Sequence, residues 1–219
     1  MSFKKHTVRS YDQDLKSIST TLDEMMSLVI KSIDMIGDIL KEKSIDLSAK
    51  IIEHDKKINS LDNLIEKKVT SILALRQPMA IDLRYIISSI KVSSNLERIG
   101  DQSKSIIKKI SKVGEGEFRK DVKDSLIEMI EISKNMVKNA VFAFNSQNID
   151  IAQDVMLQDD KIDNIYWNIS KIAEEDNFTK EQVKKVITTL LIAKSFERLA
   201  DHSENIAEIS KFVVTGEIK

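Results

Sequence analysis

Apolar residues recur at spacings of three and four along most of the chain, which is the period of an amphipathic α-helix. Between residues 46 and 76 isoleucines stand seven apart with leucines between them, at Ile51, Ile58, Ile65, Ile72, Leu47, Leu61 and Leu75. A second stripe near the C-terminus comprises Ile192, Phe196, Leu199, Ser203, Ile206, Ser210 and Val213. Both patterns predict long helices that bury one face.

Few chain-breaking residues interrupt these patterns, so the breaks locate the joints between helices. The five glycines and one proline are too few for a β-rich fold, which needs frequent turns. Pro78 suits the first position of a helix, and Thr179 with Gln182 predicts a capping box. The predicted helices cover residues 9–42, 46–76, 78–113, 119–145, 149–176 and 179–214.

The two halves of the chain repeat one another. Leu96–Ser103 is matched 100 residues later by Phe196–Ser203, and Asp55–Leu61 is similar to Asp159–Ile165. Two matched blocks in the same order indicate a duplicated three-helix unit.

The predicted fold class is therefore all-α, with six long helices in two tandem three-helix bundles. Gly114 and Gly116 are the strongest flexible point near the middle of the chain. We place the boundary there, so the first bundle covers residues 1–114 and the second covers residues 115–219.

Composition excludes several classes of function. Lys and Arg number 34 against 35 Asp and Glu, so no bulk attraction to nucleic acid or anionic lipid is expected. The absence of cysteine excludes disulfides and thiolate chemistry. The longest run without a charged residue, 139–149, is far shorter than the roughly 20 residues of a membrane helix. The N-terminus lacks the apolar run of a signal peptide. We expect a soluble, cytoplasmic protein.

Acidic residues recur one helical turn apart in both halves. Glu97 precedes Asp101 by four residues, and Glu197 precedes Asp201 by four, so each pair shares a helix face. In an antiparallel hairpin, residues equidistant from the turn lie at the same height. With turns near residues 78 and 180, the expected level pairs are Asp55 with Asp101, Asn59 with Glu97, Asp159 with Asp201, and Asp163 with Glu197.

Oxygen-only donors of this kind suit Mg²⁺, Ca²⁺, Mn²⁺ or Fe, and Zn²⁺ also accepts carboxylates, with His202 as a further candidate ligand. A ferritin-like di-iron site needs Glu three residues before His, and none of the three histidines has one. The acidic pairs lie opposite the apolar stripes, so spacing alone favours a solvated surface over a metal site. Both readings stay open at this point.

Other residues carry weaker signals. Phe142 and Phe144 are expected in the core, and Tyr166 and Trp167 are expected to pack rather than bind a ligand. His54 is expected to be a packed histidine. No Gly-rich phosphate loop, nucleophile elbow or Ser/His/Asp cluster is visible, so we do not expect an enzyme.

Three motifs resemble a known family. Arg76–Arg84 resembles the R-Q-P-x-A-x-D-L-R stretch of PhoU proteins, and Glu97–Asp101 and Glu197–Asp201 are similar to that family's two E-R-x-x-D motifs. The resemblance covers essentially the whole chain in length, order and duplication. Asn59 departs from it, because it stands where the pattern has a carboxylate, and Ala200 replaces a glycine.

The resemblance implies a cytoplasmic, homodimeric regulator that restrains phosphate uptake and the phosphate-starvation response. The implied partners are the cytoplasmic subunits of the phosphate ABC transporter and a phosphate-sensing histidine kinase. The resemblance also implies bound metal (Fe, Zn, Mn or Mg). When it is added to the spacing argument, a metal site is favoured over a solvated surface. The implied ligands are Glu97, Asp101, Glu197, Asp201, Asp159, Asp163, Asp55 and Asn59.

Three alternatives remain beside that reading. One is a carboxylate-bridged metalloenzyme that activates water, and another is a metal-free helical scaffold. The third is a regulator coupled to a different transporter or to a persistence pathway.

Overall fold

The computed structural model describes residues 9–42, 46–113, 118–172, 174 and 178–217. Within those ranges the chain forms six helices and no strand, which confirms the predicted class. The helices are α1 (Arg9–Glu42), α2 (Asp46–Arg76), α3 (Ala80–Val113), α4 (Lys120–Ser146), α5 (Ile149–Ile172) and α6 (Lys180–Thr215). The predicted boundary at residues 114 and 115, and the predicted last residue of the fifth helix, lie outside the described ranges.

Local hydrogen bonds explain two of the joints. Gln182 N–H donates to Thr179 Oγ1 at 3.3 Å, and Thr179 N–H donates to Gln182 Oε1 at 2.8 Å, so the predicted capping box begins α6. Between α4 and α5, Gln147 adopts a left-handed φ of 56°. Asn148 N–H then donates to the Ala143 carbonyl at 3.0 Å, which closes the turn before α5.

The joint between α2 and α3 differs from the prediction for Pro78. Pro78 was expected at the first helical position, but α3 begins at Ala80. The Met79 carbonyl accepts the first bonds, from Asp82 N–H at 3.2 Å and from Leu83 N–H at 3.4 Å. Gln77 and Ala80 both have positive φ, so the chain reverses around Pro78 instead of starting the helix there.

The two halves are joined by an antiparallel pairing of α3 with α6. Arg84 Nε donates to the Val213 carbonyl at 2.8 Å, and further along Asn95 Oδ1 lies 3.1 Å from His202 Nδ1. At the other end of the pair, Lys109 Nζ lies 2.5 Å from Ser195 Oγ. Helix α1 also packs against α4, so each bundle completes part of the other's core.

The predicted stripes account for much of this core. The α6 stripe is buried throughout, as are Ile51, Ile58, Ile65 and Ile72 of α2. Phe144 is buried and stacks on Tyr85 with ring centroids 4.7 Å apart.

Two core predictions were wrong. Phe142 is exposed because it lies on the face of α4 opposite Val141 and Phe144. Leu75 is exposed in the last turn of α2. The heptad pattern predicted buried residues to the end of α2, but the last buried residue of this stripe is Ile72, one turn before the helix ends. Trp167, expected to pack or to lie at an interface, is exposed on α5.

Candidate metal centre

The first carboxylate patch consists of Asp55 and Asn59 on α2 with Glu97 and Asp101 on α3. Lys104 joins its two ends, because Lys104 Nζ donates to Asp55 Oδ2 at 2.6 Å and to Asp101 Oδ1 at 2.7 Å. The predicted level pair of Asp55 and Asp101 is therefore confirmed. Sequence analysis did not include Lys104, although its position three residues after Asp101 was a usable signal.

The other predicted level pair of the first patch, Asn59 with Glu97, is also close together. When the Asn59 amide is oriented with its nitrogen toward the neighbouring acceptors, that nitrogen donates to Glu97 Oε1 at 3.2 Å. Burial raises the pKa of the Glu97 carboxyl, and the negative charges of Asp101, Asp62 and Asp55 raise it further. Asp55 is buried, and its Oδ1 has no hydrogen-bond partner.

The second carboxylate patch consists of Asp159 and Asp163 on α5 with Glu197 and Asp201 on α6. Burial, followed by the charges of Glu204, Asp163 and Asp201, raises the pKa of Asp159 to about 7. Burial and the charge of Glu197 raise the pKa values of both Asp163 and Asp201. The effects of Asp201 on Asp159 and of Glu197 on Asp163 are consistent with the predicted level pairs lying near one another.

Two oxygens of the second patch are buried without a hydrogen bond. They are Asp159 Oδ1 and Glu197 Oε2, while Glu197 Oε1 accepts a hydrogen bond from Lys194. Lys194 was another residue that the sequence analysis missed. An unpartnered carboxylate oxygen in a buried position is costly unless a cation or donor approaches it.

The two patches carry different charge at equivalent positions. Lys104 in the first half corresponds to Glu204 in the second, 100 residues later. The first patch therefore contains its own bridging cation, whereas the second gains another carboxylate. Burial and the charges of Glu208 and Asp201 raise the pKa of Glu204.

His54 and His202 each form a contact with a residue outside the two carboxylate patches. His54 Nδ1 is 3.1 Å from Ser32 Oγ, consistent with the expected packed histidine, and His202 Nδ1 is paired with Asn95 of α3. Among the residues that the structure describes, no three His, Cys, Asp or Glu side chains are arranged to hold a metal ion. The donor chemistry of the second patch, all carboxylate oxygen, nevertheless suits hard and borderline cations.

The fold and the patches define a class: a duplicated helical-bundle protein with one carboxylate cluster per bundle. The chain belongs to the PhoU family, because the PhoU domain matches residues 22–110 and again residues 126–210.

Similar proteins agree with this assignment. The chain is 30% identical over 215 residues to a phosphate-specific transport system accessory protein PhoU homolog of Caulobacter vibrioides, covering 97% of this chain and 93% of the relative. The homolog of Clostridium acetobutylicum is also 30% identical, with 96% of each chain covered. The crystal structure of PhoU from Pseudomonas aeruginosa matches with a TM-score of 0.85 at 28% identity, over 94% of this chain and all of the other.

Proposed function

We propose that this protein is an accessory protein of a phosphate-specific transport system, and that it restrains phosphate uptake and the phosphate-starvation response. The observation that carries the proposal is the double match to the PhoU domain, over residues 22–110 and 126–210. Relatives named as phosphate-specific transport system accessory proteins, such as that of Caulobacter vibrioides, align with nearly the full length of the chain. The role is regulatory and not enzymatic.

The proposed partners are the cytoplasmic subunits of the phosphate ABC transporter and a phosphate-sensing histidine kinase. In the described part of the chain, no helix is both long enough and apolar enough to cross a bilayer. We place the protein in the cytoplasm as a homodimer that meets the transporter through protein contacts.

The second patch is the better candidate for binding metal (Fe, Zn, Mn or Mg). Asp159 and Glu197 each present a buried oxygen without a partner, and the acidic neighbours raise one another's pKa. A cation among these carboxylates would offset their repulsion and draw their oxygens together. In the first patch, Lys104 already supplies a positive charge between Asp55 and Asp101.

Binding of a cation to the second patch changes its charge, and this change provides a means of regulating how a partner binds. Without a bound cation, the second patch presents concentrated negative charge on α5 and α6, which Lys194 offsets only in part. A bound cation supplies positive charge, and the carboxylates then hold one arrangement that a partner can recognise.

A cell-based experiment tests the regulatory role. In a strain of the source organism that lacks this gene, we expect phosphate uptake and starvation-gene expression to stay high when external phosphate is plentiful. The intact gene should restore repression. Unchanged uptake and expression in the deletion strain would contradict the proposal.

Elemental analysis tests the metal assignment separately. The variant Asp159→Asn/Asp163→Asn/Glu197→Gln/Asp201→Asn keeps side-chain shape while removing charge, so we expect it to fold and to lose bound metal. The matched control, Asp55→Asn/Glu97→Gln/Asp101→Asn, should keep most of the metal. Equal metal content in both variants would overturn the assignment to the second patch, without bearing on the regulatory role.

A further inference from the structure

An open cavity of about 280 Å³ lies between α1 and α2, close to the joint that leads into α3. We call it the basic groove, and its lining consists of Asp14, Ser17, Lys67, Lys68, Ser71, Ile72, Leu75 and Arg76. None of these residues belongs to either carboxylate patch. The groove has no place in the function proposed above.

The charges that line the basic groove are unbalanced. Three side chains are cationic and one is a carboxylate, Asp14. Arg76 already engages that carboxylate, because its Nε and Nη2 atoms both lie 2.9 Å from Asp14 Oδ2. The positive charge of the two lysines is therefore left without a carboxylate in the lining.

Lys68 is the central cation of the groove. It is partly buried, and its Nζ donates to the Ser17 carbonyl at 3.0 Å and to Thr21 Oγ1 at 2.6 Å, both of which are neutral acceptors. Neither Lys67 nor Lys68 forms a salt bridge with another described residue. Glu24 attracts Lys68 at longer range, but Glu24 itself pairs with Lys57 at 2.8 Å.

This arrangement is suited to a tetrahedral oxyanion. Two ammonium groups supply charge and donors, and the hydroxyls of Ser17 and Ser71 can add neutral hydrogen bonds. The cavity exceeds the size of one phosphate ion, and Ile72 and Leu75 give it an apolar wall. An attached organic group therefore has room beside the charged end.

We propose that the basic groove is a binding site for a phosphate group, carried by inorganic phosphate or by a phosphate monoester. Lys67 and Lys68 provide the ionic contacts, and the hydroxyls orient the oxygens. The site works without metal, so it differs from any phosphate contact made through a cation at the second patch.

Titration calorimetry on the full chain, freed of metal and returned to chelator-free buffer, tests the site. The probes are inorganic phosphate, glycerol 3-phosphate and sulfate, at constant ionic strength. We expect saturable binding of at least one phosphate compound, weakening as salt rises. Tighter binding of glycerol 3-phosphate identifies a monoester site, and tighter binding of inorganic phosphate identifies an ion site.

Matched variants assign the binding to the groove. Lys67→Met and Lys68→Met should each weaken phosphate binding by about ten-fold or more, because each removes one charge-assisted contact. Lys56→Met removes an exposed lysine from the same helix and should leave the affinity unchanged. The second-patch variant described above should also bind phosphate normally.

Two results would overturn the proposal. One is the absence of saturable binding up to about 10 mM for both phosphate compounds, whether or not sulfate binds, because that concentration corresponds to a contact of negligible strength. The other is unchanged affinity in the exposed-site variant Lys67→Met, whose fold does not depend on that side chain. Circular dichroism establishes that Lys68→Met is folded before its affinity is compared.

Discussion

Single residues decide how the two carboxylate patches differ. The E-R-x-x-D motifs are equivalent, yet Lys104 stands in one half where Glu204 stands in the other. Lys104 contacts Asp55 and Asp101. Burial is the largest single effect on its pKa and lowers it, but the hydrogen bonds and negative charges of the two carboxylates together raise the pKa above its ordinary value. The first patch is therefore stabilised by the chain itself.

We predict that Lys104→Gln destabilises the protein by about 1–3 kcal/mol, because it leaves the buried Asp55 carboxylate without its ion-pair partner. Urea unfolding measures the loss. Lys134→Gln is the matched control, since Lys104 and Lys134 are both 24% exposed while Asp55 is 7% exposed and the partner Asp34 is 48% exposed. The control should lose less than about 1 kcal/mol. Equal losses would refute a special role for the buried pair.

Asp23 of α1 accepts a hydrogen bond from Asn145 Nδ2 at 2.8 Å. Burial raises the pKa of Asp23, partly offset by that bond. The folded state thus holds the proton more tightly than the unfolded state, so this group's stabilisation is lost as pH rises through its folded pKa.

We expect the stability of Asp23→Asn relative to the unsubstituted protein to increase as pH rises from about 4, and then to level off. The amide oxygen of Asn can still accept the bond from Asn145, and Tyr85 of α3 and Ser19 of α1 extend the network. Thermal unfolding at a series of pH values measures the difference. Asp38→Asn, on the same helix but without a bond from Asn145, is the control. A flat difference for Asp23→Asn would contradict the effect.

Elements are specified mainly by local signals. Spacing, joints and the capping box predicted the six helices to within a few residues wherever the structure describes their ends. The exception at Pro78 arises because the reversal between α2 and α3 requires positive φ at Gln77 and Ala80. The preference of proline for the first position of a helix gives no indication of these positive φ values.

The capping box of α6 has a measurable contribution. Thr179→Ala removes the acceptor of the Gln182 N–H, so we expect a loss of about 1 kcal/mol in the free energy of unfolding. Hydrogen exchange in the first turn of α6 should also accelerate. Thr70→Ala, at an exposed helical threonine of α2, should have a smaller effect. If both substitutions cost the same, the box does not stabilise this helix.

At the scale of the whole molecule, the two halves are joined by direct contacts between α3 and α6. Arg84 of the first bundle donates to the carbonyls of Val213 and Val214, the last turn of the second bundle's final helix. Those carbonyls lack partners within α6 itself, so the first bundle caps the second.

We predict that Arg84→Met lowers the free energy of unfolding by about 1–2 kcal/mol, because it leaves those carbonyls without donors. Hydrogen exchange should accelerate by a similar factor in α2 and α5, which lie in different bundles. Lys211→Met, which removes another cation near the end of α6, is the control. Acceleration confined to the second bundle would show that the bundles unfold independently.

Local spacing along the chain was enough to predict the helices, their duplication and the level pairing of the carboxylates, because 3.6-residue periodicity and hairpin symmetry can be read from residue positions. The motifs that mark the family are also present in the sequence. Spacing did not reveal that Lys104 bridges one patch, that two oxygens of the other are buried, or that two lysines share a groove with Arg76. These features became visible only in the folded structure, because they depend on which residues of different helices meet and how much water they exclude.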